Sequence, residues 1–393
     1  MAIAAGCSAQ PDFSQALAEA CQPIRAAFAA APPDLTFVFI SHHHAARFGE
    51  IGPAIRELTG TRLLLGCTGE AIIGGDRELE NQPALSVWSA ALPGSVLTTF
   101  AVEFEETPDG MVCSGVPEGL AEHHDETRAI LMVAEPYSSI PTSLLDVFGD
   151  ELPGVPVIGG MASGGGPGAN RLFLNEQTVE TGAIGVVLRG GPQVQTIVSQ
   201  GCRPIGQPYV VTRADRNIIF ELGGKTALER LQEMFPGLSA RDQQLFEQGV
   251  FLGVAMSEYR DTFQRGDFLI SNVLGADRDT GAVAVSNLVR LGQTVQFHLR
   301  DAATADEDLT QLLEQFQQRA PARAEGGLLF TCNGRGTRMF PEPNHDAGAV
   351  QDRLGPLPLA GMFAQGELGP VSGKNYIHGF TASLALFMVE EPV

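Results

Sequence analysis

Val155-Pro-Val-Ile-Gly-Gly-Met-Ala-Ser163 is an apolar run that ends in small residues, and the chain contains the same arrangement three times. Arg62-Leu-Leu-Leu-Gly-Cys-Thr-Gly-Glu70 lies upstream of it, and Leu357-Pro-Leu-Ala-Gly-Met-Phe-Ala-Gln-Gly-Glu367 downstream. Each is preceded by another apolar run: Thr36-Phe-Val-Phe-Ile40, Ala129-Ile-Leu-Met-Val133 and Gly327-Leu-Leu-Phe-Thr331. Val38 and Leu64 are 26 residues apart, Leu131 and Val157 are 26 apart, and Leu328 and Leu359 are 31 apart. Such a separation suits a strand, a crossover helix and a second, parallel strand. Open α/β layers bind ligands beyond the carboxyl ends of their strands, where glycine lets backbone come close. The repeat therefore predicts an α/β fold with α+β elements: two halves with mixed β-sheets flanked by helices, and a ligand cleft at the glycine-rich strand ends.

The 393 residues are enough for two domains. An Ala-rich extension, 1–34, carries a helix near Phe13–Ala30. A first domain covers 35–224, with a helix around Ile51–Leu58 closed by Gly60. Within it, 84–104 reads as antiparallel strands, and Arg171–Leu174 with Thr181–Leu188 as a hairpin. A boundary is expected near Gly223-Gly224, and a second domain covers 225–393. It opens with a helix over Lys225–Phe235 that presents Leu228, Leu231 and Phe235 on one face. Strands follow at Phe251–Ala255, Phe268–Leu274 and Gln293–Arg300. A long helix over Thr304–Arg319 then has Asp306, Glu307 and Asp308 in an acidic first turn.

The composition excludes several function classes. Apolar residues make up 44% and charged residues 18%, as in a globular chain. The net charge of −21 repels nucleic acid and anionic lipid. No stretch reaches the roughly 20 apolar residues of a membrane span, and the N-terminus lacks the basic start and apolar core of a signal peptide. Six scattered cysteines without a C-x-x-C pair fit free thiols in a reducing cytoplasm. Gly224-Lys225-Thr226 lacks the upstream glycine of a phosphate loop, with Ile219 in its place. Gly164-Gly-Gly-Pro-Gly-Ala169 precedes a strand-like segment rather than opening a helix, so it is no dinucleotide fingerprint. Contiguous histidines, His42–His44 and His123-His124, chelate poorly and are expected as solvated loop residues, with no metal site.

The densest chemistry is C-terminal. Phe330-Thr-Cys-Asn-Gly-Arg-Gly336 puts a thiol, an amide and a guanidinium at a strand end. Glu367 and Asn375-Tyr-Ile-His-Gly-Phe-Thr381 follow. Two readings of Arg335 stand side by side: an internal pair with Glu367, since an unpaired interior charge costs several kcal/mol in order of magnitude, or a fork onto a ligand carboxylate. His378 reads as a core residue, a general base or a haem ligand.

Gly66-Cys-Thr-Gly-Glu70, Gly201-Cys-Arg-Pro-Ile-Gly206, Arg300-Asp301, Cys332-Asn-Gly-Arg-Gly336, Gly366-Glu-Leu-Gly369 and His378-Gly-Phe-Thr381, in this order, resemble the FIST family. The resemblance runs from about Leu35 to Phe387. It implies a FIST N domain followed by a FIST C domain, and a sensory, ligand-binding module of signal transduction. The implied ligand is an amino acid or other small carboxylate, and the implied output goes through a separate signalling partner protein. The expected ligand-binding residues are Cys67, Thr68, Gly160, Met161, Arg203, Cys332, Asn333, Arg335, Glu367, His378 and Thr381. No cofactor and no catalytic turnover are expected. A haem-binding nitric-oxide sensor is the alternative, with His378 or one of His42–His44 as ligand. An enzyme using Cys332 or Cys67 as nucleophile is a third reading.

Overall fold

The computed structural model describes all residues except 108, 109, 140, 259–261, 264, 320–322 and 390–393. Packing divides the chain into two units. The first holds Met1–Val198, Leu309–Ile377 and Thr381–Val393; the second holds Ser199–Asp308 and His378–Phe380.

All three strand–helix–strand repeats form, and all lie in the first unit. Leu35–Ser41 runs parallel to Leu63–Gly69, Thr127–Ala134 to Val157–Met161, and Ala324–Cys332 to Leu359–Ala364. Their crossovers carry the helices Ile51–Thr59, Pro141–Glu151 and His345–Leu354. Gly60 ends the first of these in a left-handed conformation, φ 68°. In each pair a glycine of the trailing strand faces a carbonyl of the leading strand. A Cβ on Gly66 would stand 2.0 Å from the Val38 oxygen, one on Gly159 1.7 Å from Met132, and one on Gly361 1.7 Å from Leu329. Glycine recurs there because the two backbones leave no room for a side chain.

The repeats extend further than the apolar runs alone reveal. After each trailing strand the chain leaves its own sheet and joins that of another repeat. Ile72–Gly74 pairs with the third repeat's Leu359–Ala364. Leu172–Leu174 pairs with the first repeat's Leu63–Gly69. Glu367–Val371 pairs with the second repeat's Val157–Met161. Each crossing strand is one arm of a hairpin, completed by Arg77–Leu79, Gln177–Val179 and Lys374–His378. A return strand then runs antiparallel to its own leading strand: Leu85–Ala91, Ala183–Gly190 and Thr381–Met388.

This topology corrects the expected hairpin. Leu172–Leu174 turns at Asn175 (φ 55°) and pairs with Gln177–Val179, whereas Ala183–Gly190 lies in another sheet between Thr127–Ala134 and Ser95–Thr107. Asn tolerates the left-handed turn position, so the chain reverses there. The fully buried 183–188 run then fits a central strand better than an edge.

Three sheets enclose one core, with Phe37, Phe39 and Trp88 from the first, Leu131, Val133 and Ile158 from the second, and Phe330, Met362 and Phe387 from the third. Helices cover the outer faces: Phe13–Ala27 and Ile51–Thr59 over the first sheet, Pro141–Glu151 over the second, and His345–Leu354 with Leu309 and Leu313 over the third. Strand (43%) exceeds helix (27%), which makes the mixed-sheet fold α+β.

The second unit is an antiparallel barrel. Cys202–Asp215, Thr294–Arg300, Val250–Ala255, Phe268–Ala276, Val283–Val285 and Ile218–Leu222 pair in that order, and the last pairs back with the first. Closure removes exposed sheet edges. Leu252, Val295, Phe297 and Leu299 are in its core. Gly223-Gly224 lies inside this unit, as the turn between Ile218–Leu222 and Lys225–Thr226. Thr226 starts the helix Ala227–Met234 with a capping box to Glu229. The helix Ala302–Arg319 begins earlier than expected, so Asp306–Asp308 fall in its second turn. The Asp301 carboxylate instead accepts the Ala303 and Thr304 N–H groups, at 3.2 and 3.4 Å.

Candidate functional site

The three glycine-rich turns meet and hydrogen-bond to one another. Ser163, just past the second repeat, is the hub: its N–H donates to Thr68 O (3.1 Å), its hydroxyl accepts from Glu70 N (2.8 Å) and donates to Phe363 O. Phe363 N donates to Ala71 O (2.9 Å), Met161 N to Gly366 O (2.9 Å), and Gln365 N to Met161 O (3.1 Å). Small residues are needed here because three backbones converge: a Cβ on Gly160 would lie 2.8 Å from the Ala364 methyl.

Nine of the eleven residues expected at a ligand site belong to this first unit, but most are sealed. Cys67 is fully buried against Met362 Sδ, 3.2 Å away, and burial pushes its thiol pKa far up. Thr68 is equally buried and bonds to Asn170 and to Arg171 N. Gly160 pairs with Glu367 across the sheet, and Met161 is buried. Arg203 and His378 belong to the second unit. There Arg203 Nε donates to Asp301 (2.8 Å) and Nη2 to Asp242, while Arg241 also donates to Asp301 (2.8 Å).

Arg335 is 0% exposed, and its partner is Asp346 rather than Glu367: Nε donates to Oδ2 (2.6 Å) and Nη2 to Oδ1 (2.7 Å). Thr331 donates to the same carboxylate, and the Phe340 ring lies 5.2 Å from the guanidinium carbon, with His345 stacked on it. Burial pushes the Asp346 carboxyl up, but Arg335 and His345 beside it hold it well below the usual carboxylate range. The bidentate geometry expected for a ligand carboxylate is therefore made by the protein's own.

Two further carboxyls flank this pair. Glu78 Oε1 accepts from Asp346 N and Ala347 N, both at 2.9 Å, at the start of the helix His345–Leu354. Burial, then the Asp346 charge, pushes Glu78 up to about 7. Glu367 is fully buried, and its Oε2 accepts from Thr381 N (3.1 Å) and Oγ1 (2.8 Å). Burial pushes it up to about 8 against the opposing pull of Thr381, the Cys332 thiol and Arg335.

Beside this sealed cluster lies a small polar pocket open to solvent. Glu70 and Ala71 come from the first repeat's turn, Asn333 and Phe363 from the third repeat, and Glu80, Asn81, Thr337 and Arg338 complete the wall. Arg338 donates to Glu70 and to Asn333 O (2.9 Å). Glu80 accepts from Thr337 N (3.0 Å) and Oγ1 (2.7 Å). Asn333 Oδ1 is buried and has no hydrogen-bond partner.

Asn333 alone among the expected ligand residues lines this pocket. Glu70 was visible as the last residue of Gly66-Cys-Thr-Gly-Glu70, and Arg338 lies only three positions past Arg335. Glu80 carried no local signal, because a crossing hairpin brings it here.

Residues 34–225 match the FIST N domain and residues 227–370 the FIST C domain. The chain belongs to the FIST family. FIST domains are associated with ligand binding in sensory signal transduction. The chain is 42% identical over 389 residues to the uncharacterized protein Rv0628c of Mycobacterium tuberculosis (strain ATCC 25618 / H37Rv), covering 99% of this chain and 100% of that one. It is 41% identical over 391 residues to the uncharacterized protein Mb0898c of Mycobacterium bovis (strain ATCC BAA-935 / AF2122/97), covering 99% of each.

A haem in this FIST chain would need an imidazole or thiolate facing an apolar pocket. The pocket beside Asn333 is polar and has neither on its wall. His42 packs against Gly165, and His44 is 3% exposed beside Phe13 rather than solvated. Among the described residues no group of three or more His, Cys, Asp or Glu side chains is placed to hold a metal ion. No helix among them is long and apolar enough to cross a membrane.

Proposed function

We propose that this FIST chain is a sensory module whose ligand, a small polar molecule of the amino-acid class, occupies the pocket between Glu70, Glu80, Asn333 and Arg338. The carrying observation is a polar pocket in which the turns of the first and third repeats bring Glu70, Glu80, Asn333 and Arg338 together. The location suits signalling, because a ligand that bridges the first and third repeats' turns biases elements far apart in sequence. The output goes to a separate signalling partner in the cytoplasm. A thermal-shift screen over amino acids and small carboxylates, followed by titration of the hits against Arg338→Ala and Glu70→Gln, tests the assignment. Binding weakened at least tenfold by both substitutions is expected. Affinities unchanged in both variants would place the ligand elsewhere.

A further inference from the structure

Exposed apolar side chains gather on the barrel of the second unit. Among the described residues eight large apolar side chains are exposed, and five of them, Val210, Ile218, Leu274, Leu288 and Leu291, belong to this unit, which holds less than a third of the chain. Strand register puts two of the five in one row: Ile218 pairs with Ala284, and Ala284 with Gly275, where a bulge inserts Leu274. Ile219, Val283 and Val285, which alternate with this row, fill the barrel core, so the row faces outward. The loop that follows, 286–293, is pinned beside it. Val285 N donates to Asn217 O (2.9 Å), Val289 N to Arg216 O (2.8 Å) and Gly292 N to Val211 O (2.9 Å). Val289 is buried, whereas Leu288 is 73% and Leu291 65% exposed. Turning these leucines inward would break the backbone bonds that hold the loop.

An exposed leucine alone needs no partner, but a group of them on adjoining segments marks an interaction surface. Its charge indicates the kind. Segments 210–218, 272–276 and 284–293 build the surface and contain Arg213, Arg216 and Arg290 against a single acid, Asp215, in a chain with 46 acidic and 25 basic residues. Arg213 lies over the Phe220 ring and pairs with Glu221. Arg216 and Arg290 are exposed and have no carboxylate partner among the described residues. We propose that this face of the barrel docks a partner protein through a segment in which acidic side chains flank apolar ones. The partner's apolar side chains cover Ile218, Leu274, Leu288 and Leu291, and its carboxylates meet Arg216 and Arg290 at the rim. A second copy docking by the same face would bring the same excess of arginine to the contact. An anionic bilayer is repelled by the net charge of −21. The proposal rests on the reading above that the output goes to a separate partner, and it gives that partner a place on the barrel.

A random-peptide display library selected on the full chain, without added ligand, tests this, so that failure here leaves the pocket assignment untouched. Affinities of the enriched peptides are then measured by fluorescence anisotropy at low and high salt. Enriched peptides are expected to combine Asp or Glu with Leu, Phe or Trp. They should lose at least tenfold in affinity for the Leu288→Ser/Leu291→Ser variant. Arg216→Glu/Arg290→Glu should weaken them by a factor that shrinks as salt rises. In the unsubstituted chain, amide resonances should shift on peptide addition within 210–218, 272–276 and 284–293. Peptides without acidic residues, affinities indifferent to the leucine substitutions, shifts confined to other segments, or no enrichment at all would overturn the proposal. So would a dimer in sedimentation velocity that the leucine substitutions dissolve, which assigns the face to a second copy. Binding to phosphatidylserine vesicles that the same substitutions abolish would assign it to a membrane and overturn the proposal equally. All four substitutions are at exposed positions, and unchanged melting temperatures separate lost binding from lost folding.

Discussion

Glu367 shows how one residue's chemistry depends on what surrounds it. In sequence it was the internal partner considered for Arg335, whereas Asp346, 11 positions beyond the arginine, carried no local signal that singled it out. Burial raises its pKa from the ordinary 4.5 to about 8, so the folded chain keeps a proton that the unfolded chain gives up. A group raised in this way contributes its full stability below about 4.5 and loses it as pH rises to 8. Glu78 has the same sign over a narrower window, up to about 7. Glu367→Gln should therefore flatten the fall of unfolding free energy between pH 5 and 8 by up to about 1.4 kcal/mol per pH unit. Urea unfolding at pH 5, 6.5 and 8 measures it. A slope identical to the unsubstituted protein would mean that Glu367 is already ionised in the folded state. The raised carboxyls were not legible in the sequence because their cause is desolvation by strands from distant segments.

At the scale of elements, the repeat was legible and its purpose was not. The apolar runs, the helix-length gaps and the glycine positions located all three parallel pairs. Close approach of paired backbones explains Gly66, Gly159 and Gly361. Beyond each trailing strand the small residues do more than open a binding edge: they let the chain cross into a neighbouring repeat's sheet. Ser163 fastens these crossings. Replacing it with alanine leaves Glu70 N–H and Phe363 C=O without the partner they share. Ser163→Ala should cost about 1–3 kcal/mol in chemical denaturation and speed amide exchange at Glu70. A loss under about 0.5 kcal/mol with unchanged exchange would show that water or a small shift replaces the hydroxyl.

Over the whole molecule, the three repeats depend on one another and the barrel interrupts them. Because Ile72–Gly74 and Val157–Met161 take partners from the third repeat, residues 35–224 alone lack strands that their sheets need. That fragment should show no cooperative thermal transition and poorly dispersed amide resonances, and a sharp transition would mean that the crossing strands are dispensable. The sequence by itself determined the three strand–helix–strand units, the helix end set by Gly60, the absence of nucleotide motifs and the family. These depend on local periodicity, capping and backbone sterics, which act within a few tens of residues. The tertiary structure decided that Arg335 pairs with Asp346, that Cys67 and Thr68 are sealed, and that Glu70, Glu80, Asn333 and Arg338 share a pocket. Those outcomes depend on which strands cross between sheets, and crossings are fixed by packing and pairing across hundreds of residues rather than by any local pattern.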